Sequence, residues 1–217
     1  MNQPRRAGAL LADIADIHRT QADLDEALQA SRESEKLLDP GGENASMGQA
    51  MDFVLALVRE GQVLDNDKGV SLGRREEAIA VLERAFKITT DIAGRDPNDF
   101  NSGERFAGVG TLLARELWHR DPDRSVDIFD RALRRMGEVN NNTTARRREV
   151  DALAGSVYPL LQLHRYGDAR ERLDAAFLRL SQIQQYPSEQ IQLGSEADRT
   201  LRARAEYRAP PAMLGAR

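Results

Sequence analysis

Apolar residues recur along this chain at intervals of three and four, the spacing that lays them on one face of an α-helix. In "SLGRREEAIAVLERAFKI", Ser71 to Ile88, that spacing puts Ala78, Val81, Leu82, Ala85 and Ile88 on one stripe. Glu76, Glu77, Glu83, Arg84 and Lys87 fall towards the other side. Gly73 stands just before the helix, where a chain reversal tolerates positive φ. The same order returns three more times: Ala22, Leu24, Ala27, Ser31 and Ser34; Ser125, Phe129 and Ala132; and Tyr166, Ala169, Leu173 and Ala176. The copies read small, three residues, large, two residues, small, with Ser31 in the large place of the first.

The copies start at Ala27, Ala78, Ser125 and Ala169, which are 51, 47 and 44 residues apart. Another apolar helix precedes each of them: Ala9 to Thr20, Met47 to Leu64, Glu104 to Trp118, and Ala145 to Leu163. The chain therefore reads as four helix hairpins. Small residues let the two helices of a hairpin approach closely, and the large one fills the gap to the next pair. No hairpin buries its apolar face alone, so stacked neighbours must supply the core. After them, "YPSEQIQLGSEADRTLRARAEYR" predicts a closing helix over 188–207 with Ser188 as its N-cap and acids in its early turns. Residues 208–217 have too little pattern to fold and are expected to be a flexible tail. Pro159 interrupts the helical pattern of "GSVYPLLQLH"; it removes a backbone donor and crowds the carbonyl of Gly155, so a kink is expected there.

"QADLDEAL", "GRREEAIAVLERAF" and "HRYGDARERLDAAF" resemble the second helix of tetratricopeptide repeats and the turn before it. "VREGQVL" and "GVGTLL" look like the Leu-Gly segment of such a repeat's first helix, and Asp39–Pro40 and Asp96–Pro97 match the proline that closes one repeat and opens the next. The resemblance covers residues 9–182. It departs from the family pattern in its longer period, in the loss of most first-helix Trp and Tyr residues, and in a loop inserted between Leu64 and Gly73. It implies an all-α, right-handed superhelix of about four hairpins in one domain, 1–207, with repeats over 9–40, 46–94, 97–139 and 144–183 and a capping helix. In this family the first helices line a concave face that holds a partner segment. Carried over by offset, Asp16, Arg19, Gln62, Arg115, Tyr158 and Gln162 are expected on that face, exposed. The Lys/Asn set with which some members clamp a C-terminal carboxylate is missing. The long spacing and the closing segment also resemble the C-terminal repeat regions of large acidobacterial serine/threonine kinases.

Composition narrows the classes further. Of 217 residues, 41% are apolar, which suits an elongated molecule with much surface. A net charge of −4 opposes general nucleic-acid affinity. Without cysteine there is no disulfide, thiolate nucleophile or Cys-based zinc site. Neither a signal peptide nor a membrane helix is expected, since aspartates interrupt the first apolar stretch; the reading is a soluble, cytoplasmic protein. Charge is uneven: residues 9–46 hold nine acids and three bases, and residues 198–217 hold two acids and five arginines. Opposite signs at the two termini of the sequence favour weak head-to-tail self-association.

No motif for chemistry is complete. His119–Arg120–Asp121 matches a kinase catalytic triplet, but Val126 stands where the magnesium-binding Asn belongs and no Asp-Phe-Gly follows. Asp65, Asp67, Leu72 and Glu76 follow calcium-loop spacing, yet Val70 occupies the obligatory glycine position. His18, His119 and His164 lie in three different repeats without ligand spacing. The expectation is a non-catalytic protein-interaction scaffold without cofactor or metal, its partner a protein or peptide. The alternative is the regulatory C-terminal region of a signalling kinase whose catalytic domain lies outside this chain.

Overall fold

The computed structural model describes residues 3–41, 45–66, 69–95, 99–138, 143–188 and 190–209. Among these the secondary structure is nine α-helices and no strand: α1 (Gln3–Gln21), α2 (Leu24–Leu38), α3 (Met47–Leu64), α4 (Arg75–Arg95), α5 (Phe100–Leu117), α6 (Pro122–Glu138), α7 (Thr143–Gln162), α8 (Tyr166–Gln182) and α9 (Glu196–Arg208). The chain packs into two compact units, Met1–Pro97 and Asn98–Arg217. In the first, α1 pairs with α2 and α3 with α4, and α3 also packs on both α2 and α1. In the second, α5 pairs with α6 and α7 with α8, while α7 touches α5 and α6 and is covered by α9.

The repeated small and large residues form the hairpin contacts. Ala27, Ser31, Ser34, Ala78, Ala85, Ser125, Phe129, Ala132, Ala169 and Ala176 are fully buried, and Leu82 and Leu173 nearly so. Two of the small ones tie helices together directly: the Ser34 hydroxyl donates to the Gly8 carbonyl at 2.8 Å, and Ser125 donates to Ala114 at 2.7 Å. Ala22 departs from the pattern, lying exposed in the α1–α2 turn at φ 68°. Gly61 of "VREGQVL" shows why a side chain is excluded there, since a Cβ would sit 2.9 Å from two carbons of Leu82.

Local capping chemistry sets where the helices begin. Ser46 and Gln49 form a reciprocal capping box, so α3 starts where the periodicity starts, at Met47. For α5 the cap is Asp99, which accepts from the amides of Asn101 and Ser102 and adds a turn ahead of the expected Glu104. The closing helix is shorter than expected. Ser188 is not its N-cap: its hydroxyl makes a local turn with the backbone of Gln190. Gly194, at φ +74°, turns the chain, and Ser195 then caps α9 by accepting from the Asp198 amide at 3.2 Å. Ile191 and Leu193 are left exposed before it. Helix α7 runs unbroken through Pro159. Gly155 has a further role, because a Cβ there would come within 2.9 Å of the Phe129 ring of α6.

The inserted loop folds back on α3, with Leu72 and Arg74 donating to the carbonyls of Val63 and Leu64. Gly73 has φ +69°, the left-handed conformation that its place before α4 called for. Asp67, the second pair Asp96–Pro97 and the tail from 210 onward lie outside the described residues. None of the described helices is long and apolar enough to cross a membrane.

Candidate functional site

Three of the six expected partner-facing residues meet in the first unit. Asp16 and Arg19 lie one turn apart on α1, and the Asp16 carboxylate accepts from Arg19 at 2.9 and 3.2 Å through the same oxygen. Arg59 of α3 approaches that oxygen at 3.3 Å and donates to the Gln62 side-chain carbonyl at 3.2 Å. All four residues are half-buried. Two guanidinium groups thus face one carboxylate oxygen. Arg59 was missed in the sequence reading. Its signal is its position three residues before Gln62, on the same face of one helix.

The other three residues lie in the second unit. Tyr158 is half-buried against Trp118, with ring centroids 5.7 Å apart, and Gln162 is exposed on the next turn of α7. Arg115 departs from expectation: it is 7% exposed and is not on an open face. The absent side chain of Gly155 lets it lie against α7, where a Cβ would be 3.3 Å from Arg115 Nε. Close approach of α5 and α7 therefore turns a surface position into a packed one. Trp118 was also missed; it closes α5 and stacks on His119 at 3.5 Å.

The motifs that suggested chemistry serve as helix ends. His119 and Arg120 form the turn after α5, and the Asp121 carboxylate accepts from the Arg124 amide at 3.0 Å, capping α6. Asp65 is occupied by Arg75 at 3.0 Å and by the amide of Asn66. Among the described residues no group of three or more His, Cys, Asp or Glu side chains could hold a metal ion.

One buried acid escaped the sequence reading altogether. Glu60 follows Phe53 and Leu57 and precedes Leu64 on the inward face of α3, and it is 4% exposed. A carboxylate in an apolar register is a readable signal. Its Oε1 accepts from Arg32 of α2 at 2.9 Å, while its Oε2 is buried without a hydrogen-bond partner. No protein-family model matches the chain, and no curated protein is significantly similar to it.

Proposed function

We propose that this protein is a non-catalytic interaction scaffold of the tetratricopeptide type, a right-handed superhelix that holds a segment of another protein along the face formed by its first helices. The observation that carries the reading is the convergence of Asp16, Arg19, Arg59 and Gln62 from α1 and α3. These residues come from the first helices of two hairpins, the elements that a repeat array turns towards its partner. Arginine combines contact area with directed hydrogen bonds, which suits it as an anchor. In the second unit Trp118 and Tyr158 offer an aromatic counterpart.

A peptide-display selection on the full chain tests this. Selected peptides should lose affinity by about 1 kcal/mol or more with Arg19→Ala, Arg59→Ala or Tyr158→Ala, at unchanged helical signal. Glu83→Ala, on α4, should change little. Failure to enrich any peptide, or dependence on Glu83 alone, would overturn the proposal. Arg115 is withdrawn as an anchor because its burial makes its truncation a test of folding.

A further inference from the structure

The contact between α2 and α3 holds Arg32, Glu35 and Glu60, with Glu77 and Arg84 reaching in from α4, and this arrangement does not close without a proton. Glu60 Oε1 takes a hydrogen bond from Arg32 at 2.9 Å, and Glu35 is held by Arg84 of α4 at 2.7 Å. Arg32 also reaches Glu77 of α4 at 3.5 Å. From α1, Asp16, which also pairs with Arg19, engages Arg59, the neighbour of Glu60 in the chain. The second oxygen of Glu60, Oε2, is fully buried and receives no hydrogen bond from any donor. An ionised oxygen there would be stripped of water with nothing in return. A protonated one carries no charge to desolvate and can itself donate.

We propose that Glu60 is a proton-operated joint: while its carboxyl holds a proton, the first hairpin is held against the second, and loss of that proton loosens α2 from α3. The electrostatics agree with the geometry. Burial, and then the hydrogen bond and charge of Glu35, push the Glu60 carboxyl up to about 7 against the opposing pull of Arg32. For an acid raised in the folded state, the sign is fixed. The stabilisation is complete below the unfolded value of 4.5, declines as pH rises, and is gone above about 7. Over that window the docked state should lose about tenfold in its equilibrium constant per pH unit. Loosening the joint would also separate Arg59 from Asp16 and Arg19, making capture of a partner pH-dependent. That consequence rests on the scaffold reading, whereas the joint does not.

The test needs no partner. Carbon-13 NMR titration of the glutamate carboxyls in the full chain is combined with amide hydrogen exchange of α2 at pH 5.5, 6.5 and 7.5. Glu60 should titrate near neutrality, and α2 protection, corrected for intrinsic rates, should fall about tenfold from pH 5.5 to 6.5 and flatten above 7. Glu60→Gln should stay protected at all three values, and Glu35→Gln should move the Glu60 titration to lower pH. His18→Asn controls for the histidine that lies 3.7 Å from Asp23 and should leave the pH response intact. Titration of Glu60 in the ordinary carboxylate range overturns the joint, as does a pH response that survives Glu60→Gln or vanishes in His18→Asn. Should Glu60→Gln not fold, the wild-type titration and the Glu35→Gln shift decide.

Discussion

Two of the buried glutamates, taken one from each unit, meet opposite electrostatic fates. Glu60 of α3 and Glu196 of α9 are 4% and 7% exposed, so both lose most of their water. Burial pushes both carboxyls up. For Glu60 the next neighbour is another acid, Glu35, and the value rises to about 7. For Glu196 burial is again the largest cause, but two hydrogen bonds from Arg147 at 3.1 and 3.2 Å, a backbone hydrogen bond and the Arg147 charge together outweigh it, so the carboxyl stays below its usual range. Desolvation sets the size of the problem, and the charge of the second partner sets its sign.

The difference gives the two contacts different uses. Beside α9 two further acids have arginines: Arg199 donates to Asp151, with Nε at 2.7 Å, and Arg179 binds Glu149 at 2.7 Å from α8 to α7. These pairs flank a small apolar seam of Val150, Leu180 and Ala197 with Phe177 and Tyr186, and Arg204 lies over the Phe177 ring at 4.7 Å. Such a contact is insensitive to pH near neutrality. The α2–α3 contact, with its acid pair, is not.

The comparison can be broken most forcefully at α9. Arg199→Ala takes from the half-buried Asp151 the guanidinium that donates to it, and urea melts followed by circular dichroism should lose about 1.5–3 kcal/mol. A loss under about 0.5 kcal/mol would mean that these pairs behave like solvent-exposed ones. Apolar packing, by contrast, should not distinguish the units. Ala78→Leu in the first and Gly155→Ala in the second each overfill a closed contact and should each cost about 1–3 kcal/mol in the same melts.

Isosteric neutralisation should split the two glutamates by sign. At pH 8, Glu60→Gln should raise stability by about 1 kcal/mol, because it supplies permanently the neutral group that the site requires. Glu196→Gln should lower it by about 1–2 kcal/mol, because Arg147 loses its charged acceptor. Equal signs would remove the distinction. Acid sharpens the same point. Hydrogen bonds hold Asp99, Glu196 and Asp198 below their usual ranges, with Ser102 the leading partner of Asp99 and burial opposing in the other two. The stability they contribute is complete above their unfolded values of 3.8 and 4.5 and is lost as pH falls through the folded ones. Hydrogen exchange below pH 4 should therefore open the second unit while protonated Glu60 still closes the first. The smallest effect belongs to Val70→Ala, at a half-exposed loop position, which should stay within about 0.5 kcal/mol.

Much of the candidate site was legible only in pieces. Asp16 with Arg19, and Arg59 with Gln62, are pairs one helical turn apart, and such proximity follows from helix geometry alone. That the two pairs join at one carboxylate oxygen depends on how far α1 and α3 are rotated about their axes, which no local pattern records. Arg115 illustrates the same gap from the other side. Its offset predicted an open face, and the glycine that buries it lies on a different helix.

By itself the sequence determined the helices, their order, and the small residues on which the hairpins close. Those features follow from periodicity and from side-chain volume, which act over a few residues. Even the helix ends that were misplaced, at Asp99 and Ser195, are written locally as an acid or a serine whose side chain satisfies the free amides two or three residues on. What only the tertiary structure decided is which charges share a buried space. Ionisation depends on lost water and on the nearest opposing or like charge. For Glu60 those neighbours come from α2, for Glu196 from α7, and packing between helices alone brings them into range.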